Sequence, residues 1–211
     1  YGGPDKAHVT FTPVQKAISY SMTSIFTTGG IRGGKKHVGV FHPRSFNMGI
    51  SREVFNKTRG YIITRMAEDL EFSIRIMNAG FKVGLIEDAY VYHKRRTSFK
   101  QFFKQLHFFG RGRINLYRFF PNELKAVHFF PAVFFICCVV TLLTGLFSPV
   151  LFSLGISFLF FYSFLIFLDS SLKNASLEIG LLSVCAAFIQ LCGYGIGFLT
   201  EGIRELTGKR K

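Results

Sequence analysis

Two adjacent carboxylates, Glu68 and Asp69, stand at the head of a segment in which Leu70, Ile74 and Met77 recur at helical spacing before Gly80. Acids in a first helical turn complement the macrodipole, and that alone accounts for an arbitrary Glu-Asp pair. The same position also suits a general base, because the terminus favours the negatively charged form that accepts a proton. Three other sets of residues have chemistry to offer. His93 ends an extended segment, Arg111 and Arg113 alternate with glycines in a basic run, and Arg32, Lys35 and Lys36 lie in a glycine-rich loop. That loop matches neither a P-loop nor a dinucleotide fingerprint, and a solvated loop explains it equally well.

The elements that must position these groups are written in caps and periodicity. Thr12, Pro13 and Gln15 supply the hydroxyl, proline and amide of a capping box, so a helix is expected there, with Val14, Ala17, Ile18, Ile25 and Phe26 as its buried stripe. Val38-Gly39-Val40-Phe41 reads as a short strand, and Ser51 caps a helix over 52–57 that Gly60 closes. Phe81 to Ile86 alternates as a strand does, and Ala89 to His93 continues extended. Ser98 and Gln101 form a second capping box, which opens a helix with Phe99, Phe102, Phe103, Leu106 and Phe109 on one side and Lys100, Lys104 and Arg111 largely elsewhere. Beside a membrane span such a helix is expected at the interface, rings in the headgroup boundary and cations toward anionic lipid; packing on its own domain is the alternative.

The order of these features, with Asn47-Met48-Gly49 ahead of a short helix, then the Glu68-Asp69 helix, the Gly-Phe-Lys-Val turn and a strand ending in His93, resembles the second half of a family 2 glycosyltransferase catalytic domain. The resemblance covers about residues 1–118 and implies an α/β fold of GT-A type, a mixed sheet flanked by helices that binds a nucleotide sugar. It implies that Asp69 is the catalytic base, that Glu68 orients the loop or bonds to the acceptor, and that Asn47, Met48 and Gly49 line the sugar and acceptor pocket. A divalent cation, Mg or Mn, is implied too, with His93 approaching it. No Asp-x-Asp occurs in the sequence, so the principal metal ligands and most of the nucleotide pocket are expected in a missing N-terminal half. Gly110 to Arg113 falls where related synthases carry Gln-x-x-Arg-Trp; here Gln105 has no such pair after it, which leaves Arg111 and Arg113 as candidate phosphate or lipid-headgroup contacts. The function implied is inverting transfer of a sugar to a polyprenyl phosphate, a glycolipid or a growing glycan.

Composition sets the outer limits. A formal charge of +14 on 211 residues calls for a polyanionic partner, and residues 1–126 carry 21 of the 26 Lys and Arg but 8 of the 12 Asp and Glu. Val127 to Leu168 contains no charged residue, and Phe147-Ser148-Pro149 divides it into two lengths near the ~20 residues of a bilayer span. Ile179 to Thr200 is a third uncharged run, whose Gly193, Gly195 and Gly197 permit close helix packing. The expected organisation is a catalytic half over 1–96, amphipathic helices over 97–126, spans at 127–147, 149–168 and 177–200, and a basic tail over 201–211. The basic segment 94–125 is expected at the cytoplasmic face of the cell membrane. Three spans then place Arg204, Lys209, Arg210 and Lys211 outside, against the positive-inside rule, unless one apolar segment is re-entrant or interfacial. The cysteines Cys137, Cys138, Cys185 and Cys192 lie in the apolar runs and read as packing residues. The start at Tyr1-Gly2-Gly3-Pro4 reads as a domain interior, so a fragment, inactive alone, is expected. A non-enzymatic basic membrane module binding anionic lipid or nucleic acid explains the charge and the spans but gives the Glu68-Asp69 helix no role. Charged residues are absent at mid-span, which disfavours a transporter.

Overall fold

The computed structural model describes residues 1–28, 40–63 and 66–208; the glycine-rich loop with Arg32, Lys35 and Lys36, and Val38 and Gly39 of the expected strand, lie outside them. The molecule is mostly helical. Two-residue strands β1 (Asp5–Lys6) and β2 (Val91–Tyr92) pair in parallel, Asp5 opposite Val91 and Lys6 opposite Tyr92. Residues 1–5 bond on both sides: Gly49 N donates to Tyr1 O, Ile86 N to Gly2 O, and Val91 N to Pro4 O. Gly3 is needed there, because a Cβ would meet the Ala89 carbonyl oxygen at 1.7 Å.

The expected strand over 81–86 is reduced to a single parallel bridge between Leu85 and Gly2. Among the described residues the sheet is thus two short strands, not the mixed sheet that the resemblance implies. The alternation in Phe81 and Val83 has another cause, since both pack on Val54, Phe72 and Ile76 in a small core of their own.

Helices α1 (Pro13–Thr23) and α2 (Ile25–Thr28) come first. Thr12 and Gln15 form the expected capping box, and Gln15 Nε2 also reaches the Arg95 carbonyl at 2.9 Å. Ser24 breaks the stripe early and leaves Ile25 exposed. α3 (Arg52–Thr58) is capped by Ser51, and Arg59 takes the left-handed position ahead of Gly60. α4 (Glu68–Asn78) ends in a Schellman motif: Gly80 N donates to Met77 O, and Phe81 N to Ile76 O.

α5 (Phe99–Phe119) is capped by Ser98, while Gln101 reaches back to Thr97 rather than closing a full box. α6 (Phe130–Thr144), α7 (Pro149–Asn174) and α8 (Leu177–Leu206) follow. Counting the turn at 126–129 with α6, three helices are long and apolar enough to cross a membrane. The aromatic stripe of α5 is covered by protein: Phe102 and Leu106 are buried with Ala17, Ile18 and Met22 of α1 and Ile179 and Ala186 of α8. Phe103 alone in that stripe stays as exposed as 37%.

Candidate active site

Asp69 is placed by an unusual approach to its helix. Met66 and Ala67 both hold positive φ, 63° and 70°, and Ala67 offers α4 no side-chain cap. Non-glycine residues in that region cost on the order of 1–3 kcal/mol each, and such strain concentrates at functional sites. Within the first turn Asp69 Oδ1 accepts from the Leu70 amide at 2.9 Å. Oδ2 accepts from Arg44 Nη1 at 3.3 Å. Each carboxylate oxygen has a second lone pair, so among the described residues both retain an acceptor position.

Asp69 and Glu68 line a cavity of about 400 Å³ closed by Phe41, His42 and Phe46 on one side and by Phe108, Phe109 and Tyr194 on another. Arg44, Arg95, Arg96 and Arg113 also face it. Arg95 is buried and bonded to Asp5 at 2.6 Å; burial lowers its affinity for its proton, and Asp5 opposes that. Four cations converge on two adjacent acids and Asp5, an arrangement that suits an anionic group held beside a proton acceptor. The charge of the acids is felt nearby. The Tyr61 phenol is pushed up first by burial and then by Asp69 and Glu68.

A second cavity of about 490 Å³ adjoins the first, sharing Met22, Arg44, Phe109, Arg113 and Tyr194. Its walls come from α1, α2, α5, α8 and the start of α6, and they are mainly apolar, with Phe26, Leu106, Phe130 and Leu191 among them. It therefore leads from the acid pair toward the apolar helices.

The residues singled out from the sequence divide between these cavities and the scaffold. Glu68, Asp69, His93 and Arg113 face the polar cavity together. Arg111 does not: its Nε donates to Glu201 of α8 at 2.9 Å. Two residues apart on a helix point about 200° apart, so one arginine meets α8 and the other the cavity. Asn47, Met48 and Gly49 stand behind Phe46 in scaffold contacts. Asn47 Nδ2 donates to Ala89 O at 2.8 Å, Met48 joins the Val54 core, and the Tyr1 ring lies over Gly49.

His93 is half-buried and its ring lies 4.0 Å from that of Phe46. Burial, then the Arg95 guanidinium, with Arg96 adding to it, lowers its pKa below the ordinary imidazole value, against the pull of Asp5. A neutral imidazole is the metal-binding form, but its neighbours are guanidinium groups. Among the described residues no three His, Cys, Asp or Glu converge as a metal site, so these residues do not by themselves fit a divalent cation.

Sequence reasoning missed Arg44, Phe46 and Tyr194. Arg44 precedes Asp69 by 25 positions in a segment without periodicity, and Tyr194 lies inside an apolar run that reads as a span. Arg95 and Arg96 were visible only as part of a basic run.

Comparison with protein families matches residues 37–167 to glycosyl transferase family group 2, which takes in the cavity's Arg44, Asp69, His93 and Arg113 and continues through α6 into α7. No curated protein and no solved structure matches the chain.

Proposed function

The chain belongs to glycosyl transferase family group 2, which implies a sugar donor and an acceptor, and from that premise we propose that it transfers sugar from a nucleotide-sugar donor to a membrane-associated acceptor with inversion. The observation that carries this reading is the position of Asp69: a carboxylate with open acceptor positions, in a cation-lined cavity that adjoins an apolar one. The acceptor's apolar part would occupy the cavity between α1, α5, α6 and α8, presenting its reactive oxygen to Asp69. Asp69 takes the proton of the acceptor hydroxyl as that oxygen attacks the anomeric carbon. The bond to the diphosphate breaks at the same centre, and Arg44, Arg96 and Arg113 meet the charge that leaves. Glu68 orients the acceptor from the same turn.

A divalent cation belongs to this proposal only as a group whose principal ligands lie outside the described residues. No step here runs through it. The proposal puts the catalytic face at the cytoplasm, the side to which the positive-inside rule assigns the basic segment 94–125.

The proposal commits to a hydroxyl acceptor. A phosphate monoester, with a second pKa of about 6, is already ionised at neutral pH and needs no base. Asp69→Asn keeps the size and one acceptor oxygen but cannot take the proton, so transfer by the full chain in membranes should fall by about 10² to 10⁴ with donor affinity nearly unchanged. Turnover within a few-fold of wild type would refute the assignment and direct attention to a phosphate acceptor. Equal loss of donor binding would make Asp69 a structural residue.

A further inference from the structure

Length and composition treat α6, α7 and α8 alike, but packing does not. Of the most apolar stretch of each, 11% is buried in the first, 6% in the second and 50% in the third. α8 is covered along most of its length by α1 and α5, elements that precede the first apolar helix. Near its start, Ile179 and Ala186 pack on Ala17, Ile18 and Met22 of α1 and on Phe102 and Leu106 of α5. In its middle, a Cβ on Gly197 would meet the His107 carbonyl oxygen at 2.1 Å, and one on Gly110 would meet that of Tyr194 at 2.1 Å. At its end, Glu201 pairs with Arg111 and Arg118, both at 2.9 Å, and Glu205 with Arg118 at 2.6 Å. The contacts advance together along both helices, so α5 and α8 run side by side in the same direction. α5 carries Lys100, Lys104, Arg111, Arg113 and Arg118. If α8 crossed the bilayer, α5 would have to accompany it with those cations, which the hydrocarbon disfavours strongly.

The hairpin of α6 and α7 points to the same answer. Its arms pack on each other through Thr141 and Gly155, and Leu142, Leu146, Phe147 and Leu154 stand exposed toward its tip. In an up-and-down three-span bundle the first turn of α6, the last turn of α7 and the first turn of α8 share one level. Here α6 starts beside the C-terminal half of α8, where Pro131 O lies against Gly195 and Phe129 against Phe198. α7 returns to α8 at its N-terminal end, where Ser170 bonds to Ser183 and Phe167 O lies against Gly180. The two attachment points are separated by ~15 residues of α8, roughly 22 Å along its axis. α8 thus runs across the open end of the hairpin rather than beside it. Tyr20 of α1 donates to Asp169 at the end of α7 at 2.6 Å, which ties that end to the catalytic part.

We propose that α6 and α7 alone cross the membrane, and that α8 lies along its face as a layer between the catalytic part and the bilayer. The C-terminal tail then returns to the catalytic side. Arg204, Lys209, Arg210 and Lys211 join the basic segment 94–125 on one face, and the conflict with the positive-inside rule disappears. The partner that the α8 layer fits is the lipid surface, with α1 and α5 on its other side.

The test uses the full chain in membrane vesicles of defined sidedness, with one epitope tag ahead of residue 1 and another after residue 211. Phe147→Cys at the hairpin turn serves as a third reporter, read with a membrane-impermeant maleimide against the background of the parent chain; Phe147 is 84% exposed and makes an ordinary turn position. Expected is digestion of both tags in the same vesicle population and labelling of Phe147→Cys in the opposite one. A C-terminal tag protected wherever the N-terminal tag is cut overturns the proposal in favour of three spans. Labelling of Phe147→Cys from the side of the N-terminal tag overturns it as well, since the hairpin would then not cross. Neither outcome depends on sugar transfer, so this inference and the assignment of Asp69 fail separately.

Discussion

The region around α3 and α4 and the seam between α5 and α8 are held together by different means. Around α3 and α4 the apolar core is small, Val54, Phe72 and Ile76 with a few partners, and much of the chain path is fixed by polar links. Glu71, 3% exposed, binds Arg75, whose guanidinium also donates to Thr58 O at 2.8 Å and to Gly60 O. Along the seam, glycines let two helix backbones meet, and the ion pairs of Glu201 and Glu205 only close its end. A site built on polar links is broken by taking a partner away. A seam built on missing side chains is broken by adding one.

The largest structural effect is therefore expected at Glu71. Glu71→Gln removes the charge that faces Arg75 and keeps the volume. Losing one member of a buried pair costs about 3–5 kcal/mol. The low end applies, about 3 kcal/mol, because Arg75 keeps two carbonyls and some solvent. The check is a denaturant or thermal melt of the purified full chain. A change under about 1 kcal/mol would mean that polar links do not hold the region around α3 and α4 together.

Next in size is the seam. Gly197→Ala would put a methyl 2.1 Å from the His107 carbonyl oxygen, and overpacking of that kind costs about 1–3 kcal/mol. Gly202→Ala on the same helix is the paired measurement. Its Cβ would find only Ile114 Cδ1 at 4.0 Å, and alanine is favoured over glycine in a helix interior by about 1 kcal/mol, so this variant should be neutral or more stable. Opposite signs at positions five apart in one helix would identify backbone contact as the cause. Equal effects would reduce both to helix propensity.

Both halves of the comparison bear on what sequence alone could reveal. Local signals were readable: the Thr12 and Gln15 box, the Ser51 cap, the glycine closing α4 and the division at Ser148-Pro149 all correspond to features of the chain. Each depends on atoms within a few residues. What depended on a distant partner was not readable. The stripe on α5 is visible as a stripe, but whether lipid or α8 covers it is decided about 90 residues later, by Gly193 and Gly197. The alternation of Phe81 and Val83 fits a strand or a packed extended segment, and its backbone partner, Gly2, bonds to it only around Leu85, through Gly84 O and Ile86 N, which is too short a contact to make a strand of it. The pairing of Asp69 with Arg44 crosses 25 positions with no periodic trace.

The smallest expected effect is the dependence on pH that His93 contributes. Burial first, and then the neighbouring Arg95 charge, holds its pKa below the ordinary imidazole value of about 6.5. The unfolded chain therefore binds a proton that the folded chain resists. By linkage, stability is full above about pH 6.5 and declines as the pH drops below it. His93→Phe retains an aromatic ring against Phe46 and cannot titrate, so its melting temperature should fall less steeply than that of the wild type between about pH 7 and 5. Gly197→Ala alters an uncharged contact and should lower the curve without changing its slope. Parallel curves for His93→Phe and wild type would mean that the imidazole is solvated in the folded chain, and the cavity beside Asp69 would have to be more open than its walls of Phe46, Phe108 and Phe109 allow.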